Sequence, residues 1–307
     1  MRKLFMKDSL SLMTNLEYLS QYLEYIKFEK RLAQLTVNNY QRDIKELLKK
    51  INKDLSLFQH EDIRGAVAQM HAQGLSGTSI SRRLSAWRGF FEFLNSRYAF
   101  KQNPVISIKA PKDSKKLPQT LTVDQTIKLV DIKDKTFLGK RDHAILELFY
   151  SSGLRLSELT NLKIEDISFS EANVRVTGKG NKSRIVPIGK NALHAMHEWL
   201  KMRQTIAKLN SKNNGIFLNK QGNPISARAI QYRLKFWAIK QGIPENIHPH
   251  LLRHSFASHV LQSSQDLRAV QELLGHSNIS TTQIYTHLDF QHLAKIYDKS
   301  HPRAKKK

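Results

Sequence analysis

The sequence predicts a mainly α-helical fold in two domains, with a small β-sheet or hairpin in the second domain. Length is the first reason, because 307 residues exceed what one hydrophobic core usually organises, roughly 250–300 residues. The second reason is that apolar residues recur at helical spacing along most of the chain. The third is that strand-like patterns are confined to two short segments, 172–177 and 183–188.

Four helices are predicted in the first domain, residues 1–100. The apolar stripes of the first two consist of Leu16, Leu19, Leu23 and Ile26, and of Tyr40, Ile44, Leu47 and Leu48. Thr36 is a candidate cap for the second helix. A third run covers residues 61–73 and ends at Gly74. The fourth helix follows Gly77 and carries Ile80, Leu84, Trp87, Phe90, Phe91 and Leu94.

Three arginines, Arg82, Arg83 and Arg88, lie between the apolar positions of the fourth helix. An arginine face opposite a packed face suits a helix laid against phosphate groups. The alternative is an ordinary solvated face, and the three arginines alone do not separate the two interpretations.

A basic segment over residues 101–118 is predicted to be an extended interdomain linker. It holds three prolines, five lysines and one acidic residue, and no amphipathic period. The second domain then spans residues 119–307. Its helices are predicted near 122–131, 139–151, 156–162, 190–208, 226–241, 249–262, 266–274 and 289–297. A turn at 178–182 joins its two strands.

Charge is the unusual feature of the composition. The chain has 50 Lys and Arg against 26 Asp and Glu, a net charge of +24. Residues 1–110 hold 18 basic and 10 acidic side chains and residues 111–307 hold 32 and 16, so both predicted domains are basic. Such a surface attracts polyanions, and nucleic acid is the commonest large one.

Several classes of protein are disfavoured by what the sequence lacks. There is no cysteine, which excludes disulfides, thiolate zinc sites and cysteine nucleophiles. No His-Glu-x-x-His helix is present, so we expect no metal site. The first residues have no sustained apolar core, and no stretch approaches the roughly 18 apolar residues of a membrane span. We therefore expect a cytoplasmic protein that works on DNA.

The pair His250 and Arg253, together with Arg155, are candidates for holding one phosphate. His250 and Arg253 are three residues apart and share a face on a predicted helix, although about one such pair is expected by chance in this chain. Arg155 follows a glycine break and precedes a helix start, a favourable place for a phosphate. The alternative for Arg155 is a surface arginine paired with Glu158.

The remaining candidates lie in a basic turn and around one tyrosine. Lys179 and Lys182 occupy the turn at 178–182, whose glycines do not have the spacing of a P-loop. Tyr285 stands among polar, hydroxyl-rich residues with histidines at 276 and 287, whereas most other tyrosines lie on helical stripes. Composition alone does not make Tyr285 a nucleophile.

Taken together, these segments resemble the signature of the tyrosine recombinase, or phage integrase, family. The matching elements, in the family's order and spacing, are Gly153-Leu154-Arg155, Gly178-Lys179-Gly180-Asn181-Lys182, His250-Leu251-Leu252-Arg253-His254, Leu274-Gly275-His276 and Tyr285. The combination is specific although each part is weak. The resemblance covers nearly the whole chain, and residues 286–304 resemble the branch that resolves chromosome dimers at cell division.

The resemblance implies a covalent reaction on DNA. Tyr285 would attack the scissile phosphate and form a 3′-phosphotyrosine. Arg155 and Arg253 would clamp the non-bridging oxygens, because planar guanidinium groups match phosphate. The positive charge gathered there would replace a metal ion, and the exchange of one phosphodiester for another would require no ATP.

Three further residues would move protons or donate hydrogen bonds. His250 would act as a general base or a donor, and His276 would donate to a non-bridging oxygen. Lys179 would protonate the leaving 5′-oxygen, with Lys182 as the alternative acid. Glu158 would orient Arg155.

The same resemblance implies an assembly. A C-shaped two-domain clamp would close round duplex DNA, and four molecules would exchange strands through a Holliday junction. The partners implied are a XerD-like recombinase in a heterotetramer and an FtsK-type translocase as activator. The helix at 289–297 would pack into a neighbouring subunit or close its own domain. Alternatives are a phage or mobile-element integrase, a XerD-like paralogue, a type IB topoisomerase, or a DNA-binding protein without catalysis.

Overall fold

The structure is a computed structural model that describes residues 14–98, 100–113, 120–178, 183–207, 214–243, 246–275, 294 and 296–303. The chain divides into two compact units, Met1–Leu117 and Pro118–Lys307. The mainly helical fold with one small sheet is confirmed. In the part of the chain just given, no helix is both long enough and apolar enough to span a membrane.

Four α-helices build the first unit. They are α1 (Asn15–Glu24), α2 (Gln34–Lys50), α3 (His60–Ala72) and α4 (Gly77–Tyr98). A π-helical turn, Tyr25–Glu29, extends α1, and Leu55–Leu57 form a 3-10 turn. The prediction of a cap at Thr36 is wrong: α2 begins at Gln34, and its N-cap is Ala33 without a side-chain hydrogen bond.

The core of the first unit forms around α4, as its apolar stripe predicts. Trp87, Phe90 and Leu94 are almost fully buried. The indole N–H of Trp87 donates to the carbonyl of Asp43 on α2 at 2.9 Å, which fixes α4 against α2. Burial of such large aromatic groups supplies most of the stabilisation of a small helical unit.

The first part of the predicted linker is folded onto this unit. Val105 and Ile108 are buried in its core. Asp113 accepts a hydrogen bond from the backbone N–H of Thr78 at 2.8 Å and another from Gly77, so its carboxylate caps α4. Residues 114–119 lie outside the described residues.

In its described part, the second unit contains seven α-helices whose bounds are complete, a 3-10 turn (Ile164–Asp166) and a three-stranded antiparallel sheet, and residues 294 and 296–300 are also helical. The helices are α5 (Val123–Val130), α6 (Phe137–Ser152), α7 (Leu156–Asn161), α8 (Lys190–Ala207), α9 (Ala227–Lys240), α10 (Pro249–Ser264) and α11 (Leu267–Leu274). The strands, in the order β1-β2-β3, are β1 (Ile167–Ser168), β2 (Asn173–Thr177) and β3 (Ser183–Pro187), with Val174 opposite Val186. The two predicted strands are present, whereas β1 is too short to show alternation in the sequence.

Helix α6 is the centre of the second unit. Every residue from Ala144 to Ser152 is buried, including Glu147, so this part of the helix is buried on all sides rather than along one stripe. The chain segment near the C-terminus packs against its end: Tyr297 Oη lies 2.6 Å from Ser151 Oγ, and Tyr297 is almost fully buried. Most of the predicted helix at 289–297 lies outside the described residues. The position of α6 matters because the next residues carry the candidate site.

Candidate active site

Arg155 is placed by the way α6 ends. Gly153 closes the helix in the left-handed conformation, with φ 55°, and Arg155 is the N-cap of α7 two residues later. The glycine break and helix start predicted here are therefore present. A side chain at position 153 would meet the ring of Phe256 on α10, so glycine also allows α10 to approach.

Glu158 holds Arg155 by both its backbone and its side chain. The backbone N–H of Arg155 donates to one carboxylate oxygen at 2.7 Å, and Nη1 donates to the other at 2.9 Å. Nη2 of Arg155 donates to the carbonyl of Gly275 at 3.2 Å. The side chain of Arg155 is still 37% exposed, so it can reach a bound anion while it is held.

A second arginine shares the carboxylate of Glu158. Arg184 on β3 donates Nη1 to one oxygen at 2.8 Å and Nη2 to the other at 3.0 Å. Burial alone raises the pKa of Glu158, but the bonds and charges from Arg184 and Arg155 outweigh burial, so the pKa lies below its usual range. Glu158 is therefore ionised at neutral pH.

Arg253 approaches from α10 and is almost buried. Its Nη2 donates to the carbonyl of Leu274 at 2.6 Å, and its Nη1 donates to the carbonyl of Gly153. Burial, followed by the positive charges of Arg155 and Arg184, lowers the pKa of Arg253 to about 10. The group stays protonated at neutral pH.

These contacts gather three guanidinium groups and one carboxylate around the end of α11. The group formed by Arg155, Glu158, Arg184 and Arg253 has three positive charges and one negative charge, and Arg253 has no acidic partner within it. Partly buried, uncompensated positive charge is costly unless an anion binds there. Forked guanidinium donors fit the oxygens of a phosphate group. The arrangement can bind and polarise a phosphodiester.

The structure brings some of the predicted residues together. Arg155 and Arg253 converge, and Glu158 orients Arg155. His250 lies in the first turn of α10, one turn before Arg253, and its side chain is exposed. The other four candidates, Lys179, Lys182, His276 and Tyr285, lie outside the described residues.

The three arginines of α4 have partners within their own unit. Both terminal nitrogens of Arg82 donate to Asp43, which is fully buried. Arg83 donates to Glu46, and Arg88 donates to the carbonyl of Ile108 at 3.3 Å. Contact with DNA by these residues stays a prediction.

Arg184 is the member of the cluster that the sequence analysis missed. Strand β3 alternates, and Arg184 shares a face with the buried Val186. Period-two alternation therefore places this arginine toward the interior. A charged residue on the apolar face of a strand needs a buried partner, and that was the available signal.

Known proteins match this chain over most of its length. The Phage integrase family matches residues 119–292, and the Phage integrase, N-terminal SAM-like domain matches residues 19–98. Tyrosine recombinase XerC of Pseudomonas fluorescens (strain Pf0-1) is 47% identical over 293 residues, covering 94% of this chain and 97% of the relative. Tyrosine recombinase XerC of Haemophilus influenzae (strain PittEE) is 48% identical over 293 residues, covering 94% and 98%.

A solved structure shares the fold. The XerH site-specific recombinase bound to palindromic difH substrate, in a post-cleavage complex, superposes with a TM-score of 0.67. The sequences are 23% identical, and the match covers 91% of this chain and 84% of that one.

The chain belongs to the phage integrase family. Within that family it is XerC-like, since the curated relatives given above are tyrosine recombinases of that name and match almost end to end.

Proposed function

We propose that this protein is a XerC-like site-specific tyrosine recombinase, which cuts and rejoins duplex DNA through a covalent protein–DNA intermediate. One observation carries the proposal: Arg155 and Arg253 converge at the end of α11 with more positive charge than Glu158 neutralises. A charge cluster of this kind stabilises the pentavalent phosphate of a transesterification.

The nucleophile in the proposed reaction is Tyr285. Its phenol oxygen attacks the scissile phosphorus, and the bond from phosphorus to the 5′-oxygen breaks. The products are a 3′-phosphotyrosine and a free 5′-hydroxyl. Because one phosphodiester replaces another, the later attack of a 5′-hydroxyl reseals the strand without ATP.

The other site residues act on the same phosphate. Arg155 and Arg253 bind its non-bridging oxygens, and His276 donates to one of them. His250 assists as a general base or hydrogen-bond donor. Lys179 protonates the leaving 5′-oxygen.

Domain roles and partners complete the proposal. Residues 1–100 form the DNA-binding domain, and residues 101–118 connect the domains, with their first part folded onto the first unit. Residues 119–307 form the catalytic domain, whose helix at 289–297 packs into a neighbouring subunit. Four molecules, two of them XerD-like, assemble on DNA in the cytoplasm, and an FtsK-type translocase activates them. The product is the resolution of chromosome and plasmid dimers at cell division. The support for these roles is the family membership and the basic charge of both halves.

A nicked suicide substrate tests the proposal. A duplex carrying the dimer-resolution site of the host chromosome is nicked a few nucleotides from the cleavage position. Cleavage then releases a short fragment with a free 5′-hydroxyl, which diffuses away, so the adduct cannot be resealed and persists. With the XerD-like partner and a chelator present, the wild-type protein should give a protein–DNA adduct on a denaturing gel. Tyr285→Phe should abolish the adduct and keep DNA binding. Binding without an adduct in the wild type would identify a non-catalytic DNA-binding protein.

The same assay separates the two candidate acids. Lys179→Ala should slow adduct formation strongly, whereas Lys182→Ala should leave most of it. A 5′-bridging phosphorothiolate, whose leaving group needs no proton, should restore the rate of Lys179→Ala. If Lys182→Ala is the slow variant and the phosphorothiolate restores it, Lys182 is the acid.

A further inference from the structure

Arg184 occupies an unusual position for a charged residue. It lies on β3 with its side chain only 6% exposed. Its three guanidinium nitrogens all donate: Nη1 and Nη2 donate to the two oxygens of Glu158, and Nε donates to the carbonyl of Leu273 at 3.2 Å. A group this buried and this fully bonded does not itself reach a bound phosphate.

The turn at Gly275 leaves space for the side chain of Arg184. A Cβ atom at Gly275 would lie 2.9 Å from Cδ of Arg184 and 3.0 Å from its Nε. Gly275 also has φ 63°, a left-handed conformation that glycine adopts without strain. The guanidinium of Arg184 therefore lies against the turn that ends α11.

Three segments of the site meet at Arg184. The first is α7, because Arg184 binds Glu158, and Glu158 in turn holds Arg155. Through Leu273 it holds the end of α11, and in sequence His276 follows that end directly. Strand β3 itself begins at Ser183, four residues after Lys179.

We propose that Arg184 is a positioning residue: it sets the orientation of Arg155 by fixing Glu158 between two guanidinium groups, and it fixes the end of α11 against the same carboxylate. The inference rests on the proposed recombinase function and adds a residue to its machinery.

The physical reason is the number of donors that hold the carboxylate of Glu158. Arg155 alone supplies one donor to each oxygen, its backbone N–H to one and Nη1 to the other. Arg184 adds a second donor to each oxygen from a planar fork, which restricts the carboxylate further and with it the side chain of Arg155. A displacement of the order of 1 Å in a group that binds the reacting phosphate can slow a reaction by about 100-fold.

The test measures the rate constant of adduct formation on the nicked suicide substrate, with DNA in saturating excess. Under these conditions the amplitude reports how much protein is folded and active, while the rate constant reports the geometry of the site. Arg184→Met should lower the rate constant by about 10- to 100-fold, the loss typical when a residue that orients a metal ligand is removed. A lower amplitude with an unchanged rate constant would show a structural role only and overturn the proposal.

A double-mutant cycle of Arg184 and Arg155, measured by the rate constant, distinguishes a positioning role from a purely structural one. Because the effect of Arg184 on Arg155 passes through Glu158, that part of the effect is absent from Arg155→Ala protein, and Arg184→Met should slow this protein less than it slows the wild type. Multiplication of the two single effects in the double variant would overturn the proposal. If Arg184→Met does not fold, Arg184→Lys serves in the same cycle, since lysine keeps the charge but cannot bridge both oxygens of Glu158.

A matched control removes a buried arginine elsewhere in the same unit. Arg203 on α8 is 5% exposed and donates Nε and Nη2 to the carbonyl of Gly215. Arg203→Met should lower the melting temperature and keep the rate constant. If it slows the reaction as much as Arg184→Met, the effect is not specific to the site and the proposal fails. Absence of an adduct in the wild type would instead refute the proposed function itself.

Discussion

Arg155 and Arg253 donate hydrogen bonds to neighbouring carbonyl groups at the end of α11. Nη2 of Arg155 reaches Gly275 at 3.2 Å, and Nη2 of Arg253 reaches Leu274 at 2.6 Å. The two arginines come from elements about 100 residues apart in sequence. The end of α11 therefore sets the separation of the two groups that are proposed to bind the phosphate.

The first prediction concerns the shape of these cations. Arg155→Lys and Arg253→Lys keep the charge but lose the planar fork, so neither lysine can bind its protein partners and a phosphate oxygen together. Each variant should lower the rate constant of adduct formation by about 100- to 1,000-fold. Arg268→Lys is the control, because Arg268 is 71% exposed and pairs only with Glu272 among the ion pairs of the described residues. Equal rates for Arg155→Lys and wild type would show that a positive charge at position 155 is sufficient for cleavage and that the planar guanidinium shape is not needed.

The second prediction concerns stability and Glu158. Glu158→Gln leaves Arg184 buried without its ionic partner, and breaking such a pair typically costs about 3–5 kcal/mol. Urea unfolding at pH 7 measures this loss. Glu198→Gln on α8 is the control: Glu198 is bound by Lys140 and Lys201 at the surface, and its loss should change stability little.

The pH dependence of the same variant has a defined sign. The pKa of Glu158 is lowered in the folded protein, so its contribution to stability is complete above the usual glutamate pKa of about 4.3 and is lost as the pH falls through the folded value. The difference in unfolding free energy between wild type and Glu158→Gln should therefore narrow below about pH 4.3. A constant difference between pH 7 and pH 3 would contradict the role of the ionised carboxylate.

The third prediction concerns a buried histidine near the C-terminus. His301 Nε2 lies 3.2 Å from the carbonyl of Tyr150 and donates to it, and Nδ1 accepts from the backbone N–H of Arg303 at 3.1 Å. This bonding requires the neutral ring, because Nδ1 must keep a lone pair. Burial lowers the pKa of His301 to about 3.

The unfolding free energy should therefore decrease as the pH falls. The contribution of neutral His301 is complete above the usual histidine pKa of about 6.5, and protonation in the unfolded chain removes it as the pH falls toward 3. One such group changes the unfolding free energy by about 1.4 kcal/mol per pH unit in that window. His301→Gln, whose amide keeps one donor and one acceptor, should flatten the curve measured by urea unfolding between pH 7.5 and 5. An unchanged slope would show that His301 does not titrate with unfolding.

The sequence predicted the structural features that depend on residues close together in the chain. The apolar stripe of α4, the glycine that ends α6 and the alternation in β2 and β3 each depend on neighbouring residues, and each is present. Contacts that join distant residues were harder to foresee. Asp113 caps α4 from 35 residues away, and no local pattern marks it as a cap.

In the candidate site, too, local contacts were predictable and contacts between distant residues were not. The three-residue spacing of Arg155 and Glu158 predicts that they pair, as the structure shows. The meeting of Arg155 with Arg253 was expected only from the family signature, because nothing local relates two arginines so far apart. Arg184 had a weak signal in the alternation of β3, but its partner Glu158 lies 26 residues earlier. Sequence patterns indicate which face a side chain occupies and leave its distant partner undetermined.

The last prediction uses two glycines that share a backbone conformation. Gly153 and Gly242 both have left-handed φ values, 55° and 65°. A Cβ at Gly242 would have no neighbouring atom within 4 Å, whereas a Cβ at Gly153 would overlap the ring of Phe256. Gly242→Ala should therefore cost only the left-handed penalty, about 1–2 kcal/mol. Gly153→Ala should cost this amount and about 1–3 kcal/mol more from overpacking.

Activity should separate these variants further. The carbonyl of Gly153 accepts a hydrogen bond from Nη1 of Arg253, so displacement of residue 153 displaces the arginine as well. Gly153→Ala should slow adduct formation, and Gly242→Ala should not. Adding Phe256→Leu to Gly153→Ala makes room for the new methyl group, so the double variant should be less destabilised than the sum of its single changes. Equal losses of stability in the two alanine variants would mean that Phe256 moves aside freely, and α10 would then not depend on glycine at position 153 for its approach to α6.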